Sequence, residues 1–206
     1  MGGCSRERRG RCGTLPDVLI LVRHGRTALN ASGRLQGRLD EPLDDVGHLQ
    51  AKAVAERVGP VDELVASPLI RAQQTAEAFG VPYVLDDRWI ELSYGEYEGM
   101  PVGEVPSEAW RRWREDPDFV PSGGESLTTL DTRVRAACEE LAERARDQVV
   151  TVVSHVSPIK SAVAWALGAG LELSWRTHLS HASICRIDMR RSGPILLTFN
   201  EAPLEG

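Results

Sequence analysis

Two histidines and two arginines carry the chemistry for which this chain can be read. Arg23-His24-Gly25 closes one apolar run, Ser154-His155 closes another, and Arg71 follows a third through Ser67-Pro-Leu-Ile. In alternating α/β chains, ligands gather in the crevice at the carboxyl ends of the strands. That rule brings His24, His155, Arg23 and Arg71 to one place. Together they form a cationic, donor-rich pocket whose natural ligand is a phosphate, because guanidinium forks match its oxygens in pairs. Helix N-termini after Gly25, Pro68 and Pro158 are expected to aim backbone N–H groups at the same ligand.

The elements that must position these residues alternate between strand and helix. Val18-Leu-Ile-Leu-Val22 is a continuous apolar run, the mark of a strand buried on both faces, and it ends at Arg23. Residues 42–58 set Val46, Leu49, Ala53 and Val54 at helical spacing before Gly59-Pro60 stops them. Leu64-Val-Ala-Ser67 reads as a short strand, Pro68 as the first turn of a helix reaching to residue 79, and Tyr83-Val-Leu85 as a further strand. Residues 101–124 contain Trp110 and Trp113 and close on Pro-Ser-Gly-Gly, so they form a short-helix excursion, a candidate lid. Ser126 is a fitting N-cap for a helix to about Arg146, with Leu127, Leu130, Val134, Ala137, Cys138 and Leu141 on one stripe. Val149–Val153 is the second fully apolar strand, Pro158–Leu167 a helix, and Ile184–Ile187 with Ile195–Phe199 a terminal hairpin. The expected architecture is a three-layer α/β/α sandwich on a mostly parallel sheet with an antiparallel edge.

Composition limits the function classes. The 206 residues hold 30 Asp plus Glu against 24 Lys plus Arg, a net charge of −6, which argues against nucleic-acid binding through phosphate neutralisation. No apolar stretch approaches the roughly 20 residues that span a bilayer, so no membrane partner is expected. Cys4, Cys12, Cys138 and Cys185 are scattered without metal-ligand spacing; neither a metal nor a cofactor is expected, and a reducing cytoplasm is the default location. The opening MGGCSRERRGRCG is charged but lacks the apolar core of a signal peptide. Residues 1–16 therefore read as a disordered tail, and 17–206 as one domain carrying the insert at 101–124.

Longer motifs surround the four pocket residues. Leu-Val-Arg23-His24-Gly25-Arg-Thr27-Ala-Leu-Asn30 is followed by Gly33-Arg-Leu-Gln36-Gly37 and Asp40-Glu-Pro-Leu-Asp-Asp-Val-Gly47. Then come Ser67-Pro-Leu-Ile-Arg71-Ala-Gln-Gln-Thr75, Glu91-Leu-Ser-Tyr-Gly95-Glu-Tyr-Glu98-Gly99, Pro121-Ser-Gly-Gly-Glu125-Ser126 and Val-Val-Ser154-His155. An Arg-His-Gly triplet alone arises by chance; five motifs in one order do not. The chain resembles the histidine phosphatase superfamily, also called phosphoglycerate-mutase-like, over residues 18–160.

The resemblance implies a phosphoric monoester hydrolase acting through a phosphohistidine on His24, with the Gly25 carbonyl orienting its ring. It implies that Arg23, Arg71 and His155, the last as an imidazolium, hold the phosphate oxygens, and that Glu91 is the general acid and base. Asn30, Thr27 and Gln36 are expected at the rim of the phosphate site, and Val156 at its floor. After His155 the stretch Val156-Ser-Pro-Ile-Lys160 replaces the usual pair of glycines and is similar to the phosphatase half of actinobacterial proteins fused to a ribonuclease H. His48, His178 and His181 have no motif behind them and are expected to be structural or on the surface.

The expected partner is a small phosphomonoester, with a homodimer allowed. α-Ribazole 5′-phosphate, sugar phosphates such as glucosyl-3-phosphoglycerate, and broad acid phosphatase action all fit. Trp110, Arg111, Arg112, Trp113 and Arg114 would set aromatics and cations near the mouth, unless both tryptophans pack the lid to the body. Two rival readings share the motifs: a cofactor-dependent phosphoglycerate mutase, and a phosphate-binding interaction module without catalysis. The mutases resemble this order but carry a longer insert and a tail that covers the site, whereas here the insert is short and residues 200–206 are a stub. An inactive module would be expected to lack one of the five core residues, all of which are present.

Overall fold

A computed structural model describes residues 18–202. Six strands run in the chain as β1 (Val18–Arg23), β2 (Glu63–Ala66), β3 (Val84–Leu85), β4 (Val149–Ser154), β5 (Ile184–Arg190) and β6 (Gly193–Glu201). The helices are α1 (Ala28–Ala31), α2 (Asp45–Val58), α3 (Ile70–Glu77), α4 (Ser107–Glu115), α5 (Leu127–Arg144), α6 (Val156–Leu167) and α7 (Leu173–Arg176). The strands join one sheet in the order β3-β2-β4-β1-β5-β6. Pairing is parallel from β3 to β1 and antiparallel through β5 and β6. The mostly parallel sheet with an antiparallel edge is thus the observed one. The expected tail over 1–16 with Cys4 and Cys12, and the end of the stub beyond residue 202, lie outside the described residues.

Helices cover both faces of the sheet. Because successive strand residues face opposite ways, Leu19 and Leu21 enter a core with Leu130, Val134, Leu141 and Ile159 of α5 and α6. Val18, Ile20 and Val22 enter another with Val54 of α2 and Ala72 and Ala76 of α3. Leu35, Val105, Ala109, Trp113 and Phe119 form a smaller cluster under the 101–124 excursion. The α5 stripe is buried at every position read from the sequence, and Ser126 Oγ caps the helix by accepting from the Thr129 N–H at 3.1 Å.

Some local expectations are corrected. On α2, Val46 and Leu49 are 39% and 65% exposed, and the buried positions are Gly47, Ala51, Val54 and Ala55. The helix is rotated because Gly47 meets the main chain at Arg26: a Cβ on Gly47 would stand 2.0 Å from the Arg26 carbonyl oxygen. Close backbone contact, more than the apolar stripe, sets this face. Pro68 precedes α3, whose cap is the extended Leu69. Helix α6 begins at Val156, two residues before Pro158, where a proline sits in the first turn at no cost in hydrogen bonds. Tyr83 lies outside β3, which is a two-residue exposed edge.

Candidate active site

Register brings the two histidines together. In the parallel pair β1–β4, Arg23 stands opposite Ser154, so His24 and His155 leave adjacent strand ends side by side. Their ring centroids are 5.0 Å apart and tilted by 59°. The neighbouring strand β2 ends at Ala66, and the Ser67 that follows shares a 2.6 Å hydrogen bond with His155 Nε2. Arg71 then enters from the first turn of α3, fully buried.

His24 is held in one tautomer. Its Nδ1 lies 2.7 Å from the Gly25 carbonyl, an acceptor only, so Nδ1 carries the proton and Nε2 keeps its lone pair. Arg71 donates its Nε–H to that Nε2 at 3.3 Å. Burial, then the charges of Arg71 and Arg23, push His24 well below the usual histidine range, so the imidazole is neutral. Gly25 is required by space: a Cβ there would stand 2.5 Å from the Gly47 carbonyl oxygen. Its N–H donates to Thr75 Oγ1 at 3.1 Å, and Thr75 donates to the Arg71 carbonyl at 2.7 Å, tying both site segments together.

The guanidiniums are costly to bury. Desolvation lowers both Arg23 and Arg71 to about 10, offset in each case first by Glu91, and both remain charged at neutral pH. Arg71 uses its two Nη groups on the carbonyls of Leu39 and Gly37, at 2.8 and 2.7 Å, and Arg23 donates from Nη1 to Leu179 O at 2.6 Å. Buried polar atoms without a partner include Arg23 Nε, Gln36 Nε2 and His155 Nδ1. Orphan donors in a buried pocket are the signature of a site completed by a ligand.

Glu91 faces the same cleft and is buried. Its Oε2 accepts from Val156 N–H at 3.1 Å, and its Oε1 from Ser157 N–H at 3.2 Å and Leu92 N–H at 2.8 Å. The carboxylate therefore caps α6, where the helix N-terminus favours negative charge. This corrects the expectation that helix N-termini are free for phosphate. Those of α6 serve Glu91, the Ile70 N–H of α3 serves Asp40 at 2.7 Å, and α1 is capped by Thr27 and Asn30 on each other.

The cleft, about 280 Å³, is lined by Arg23, His24, Gln36, Arg71, Glu91 and Val156, with Asn30 at one side. Thr27 and Gly25 stand behind that wall. Thr27 donates its hydroxyl to Gln36 Oε1 at 2.9 Å, which turns the orphaned Nε2 of that amide away from it. His155 is likewise fully buried behind His24, and burial with the charges of Arg71, His24 and Arg23 holds it neutral.

Among the lining residues that sequence reasoning did not name as site residues are Arg34, Tyr94 and His181. His181 was expected to be structural or on the surface, since no motif points to it. It reaches the cleft because Ala182, next to it, adopts φ +51 and bonds to the His24 carbonyl at 3.2 Å. Arg111 and Arg112 of the lid do not line the cleft: Arg111 pairs with Glu108 and Glu115, and Arg112 stacks on Phe119. Trp113 is buried among Tyr94, Tyr97, Trp110 and Phe119, so it packs the excursion onto the body.

Comparison with known proteins places the chain in a family. The chain is 38% identical over 192 residues to phosphoserine phosphatase 1 of Hydrogenobacter thermophilus, covering 88% of this chain and 91% of that one. It is 38% identical over 179 residues to a bifunctional protein of Mycobacterium tuberculosis, covering 82% of this chain and about half (49%) of that longer protein. A mutant phosphoserine phosphatase of Entamoeba histolytica in complex with phosphoserine superposes with a TM-score of 0.81 at 28% identity, over 89% of this chain and 96% of that one. The family model of the histidine phosphatase superfamily (branch 1) matches residues 19–202, and the chain belongs to that superfamily.

Proposed function

We propose that this chain is a phosphomonoesterase that hydrolyses a small phosphorylated metabolite through a phosphohistidine on His24. The observation that carries the reading is the His24 tautomer: Nδ1–H is fixed on the Gly25 carbonyl, leaving a neutral Nε2 between Arg71 and Arg23. Nε2 attacks phosphorus and the bond to the ester oxygen breaks. Arg23, Arg71, Gln36 and His155 offset charge on the phosphoryl oxygens, and a phosphate dianion there restores the proton to His155. Val156, its N–H committed to Glu91, shapes the floor, while Asn30 stands at the rim and Thr27 orients Gln36 from behind it.

In the substrate complex Glu91, protonated beside the bound phosphate dianion, gives that proton to the departing alkoxide, then takes one from the water that attacks the phosphohistidine. Its place in the cleft wall supports both steps, whereas Glu98 does not line the cleft and accepts from the Arg38 and Tyr94 N–H groups at 3.1 and 3.0 Å. The positive charge that phosphoryl transfer needs is supplied by guanidiniums, so turnover needs no metal. Among the described residues no His, Cys, Asp and Glu group is arranged to hold one, and no helix is long and apolar enough to cross a membrane. Two buried free thiols, Cys138 and Cys185, fit a cytoplasmic setting.

The relatives' names put phosphoserine first on the substrate panel, with α-ribazole 5′-phosphate and sugar phosphates beside it. Release of inorganic phosphate is measured over that panel, with and without EDTA, for the chain and for His24→Ala. Metal-free turnover that the variant abolishes is expected. Activity lost on chelation and restored by a divalent ion, or retained by His24→Ala, overturns the reading.

A further inference from the structure

Glu91 is gripped through its main chain as well as its carboxylate. Its carbonyl oxygen accepts from Arg38 Nε at 3.1 Å and from Arg133 Nη2 at 3.3 Å. One arginine belongs to the segment before α2 and the other to α5, and both converge on a single carboxylate. Glu125 takes a two-pronged bond from Arg133, Nε to Oε1 at 3.0 Å and Nη2 to Oε2 at 2.9 Å, and a third from Arg38 Nη2 at 2.9 Å. Its own N–H donates to the Ser93 carbonyl at 2.9 Å, two residues beyond Glu91. The Glu125 side chain is 10% exposed and that of Arg133 is 17%. Arg38, Glu125 and Arg133 do not line the cleft.

The peptide between Glu91 and Leu92 links this cluster to the chemistry. Its carbonyl is the group the two arginines hold, and its N–H is the donor that holds Glu91 Oε1. The peptide is planar, so turning its carbonyl turns that donor too and swings the carboxylate off its position over α6. Without Glu125, the two guanidiniums would repel each other at the carbonyl they share. Resting on the reading of Glu91 as general acid, we propose that Glu125, bridging Arg38 and Arg133, is a positioning residue that sets the aim of the Glu91 carboxyl group.

A general acid matters in proportion to the basicity of the leaving oxygen, which distinguishes aiming from mere support of the fold. Glu125→Gln and Arg38→Met are assayed on an alkyl phosphate and on p-nitrophenyl phosphate, alone and combined with Glu91→Gln. For Glu125→Gln, kcat/KM on the alkyl phosphate, which reports phosphorylation of His24 without the later hydrolysis, is expected to fall about 10- to 100-fold, the scale of a misplaced catalytic group, with less than about threefold loss of kcat/KM on p-nitrophenyl phosphate. In the Glu91→Gln background the same change adds nothing further. Equal losses on both substrates, or losses that multiply with Glu91→Gln, overturn the proposal.

Glu91→Gln alone tests the reading on which this rests. Undiminished alkyl phosphate turnover would remove the acid role from Glu91, and the positioning role with it. A normal Glu91→Gln defect together with an indifferent Glu125→Gln would remove only the latter. Should Glu125→Gln fail to fold, Arg38→Met decides, because it leaves the Arg133–Glu125 pair intact on a side chain already 37% exposed. It must show the same dependence on the leaving group, and its absence overturns the proposal.

Discussion

Arg71 points its Nε–H at Nε2 of His24 across 3.3 Å, while its two Nη groups are fixed on the carbonyls of Gly37 and Leu39. The guanidinium plane is thus set with one edge on the nitrogen that the proposed mechanism uses as nucleophile. In the proposed mechanism an incoming phosphate takes over that N–H and receives the charge at a fixed orientation.

Arg71→Lys keeps the charge but loses the fork and its anchoring, so kcat/KM is expected to fall about 100- to 1000-fold. Steady-state phosphate release measures it. A loss of less than about threefold would show that a point charge suffices. Vanadate, whose trigonal-bipyramidal form on His24 imitates the transition state, should inhibit the parent chain and bind Arg71→Lys much more weakly.

Gly25→Ala puts a Cβ 2.5 Å from the Gly47 carbonyl oxygen, a backbone atom that cannot swing aside. Stability is expected to fall by about 1–3 kcal/mol, a Tm loss of several degrees. The Nδ1 acceptor of His24 moves with it, so activity falls further than stability. Thermal melting and turnover are compared, and an unchanged Tm would mean that the contact relaxes freely.

Two buried histidines, His24 and His155, and the partly buried His181 make stability depend on pH. Burial lowers His24 and His155 well below the ordinary value of 6.5, and lowers His181 to about 4, with Arg23 and Arg26 adding to the shift. Below pH 6.5 the unfolded chain takes up protons that the folded chain refuses, so stability falls as pH falls. For His181 the loss runs from about pH 6.5 to about 4. His181→Asn should therefore lose less Tm than the parent between pH 7 and pH 5; an equal loss would show that His181 takes up its proton alike in the folded and unfolded chains.

Hydrolysis is separated from phosphoryl transfer by exposure of the intermediate. The 101–124 excursion contributes Val102 to the described wall of the cleft, while its α4 helix packs through Trp113 onto the body. Water should reach the phosphohistidine once the product alcohol leaves. With 3-phosphoglycerate and a catalytic amount of 2,3-bisphosphoglycerate, at most slow phosphate release is expected, and no rapid appearance of 2-phosphoglycerate. Isomerisation outpacing phosphate release a hundredfold would make the chain a mutase.

The sequence by itself determined the central strands, the long helix α5 and the meeting of His24, His155, Arg23 and Arg71. These follow from local signals: uninterrupted apolar runs, a Ser126 cap, and the rule that parallel strands present their carboxyl ends together. Only the tertiary structure decided what those residues touch. The α6 N–H groups went to Glu91, a choice between a fixed carboxylate and a transient ligand that spacing does not express. Val46 and Leu49 went to solvent because the contact of Gly47 with the Arg26 main chain fixed how α2 could roll. Arg34, Tyr94 and His181 entered the cleft, and Glu125 came to join Arg38 with Arg133, through contacts between segments far apart in the chain. Such contacts depend on register and backbone approach, which no run of neighbouring residues encodes.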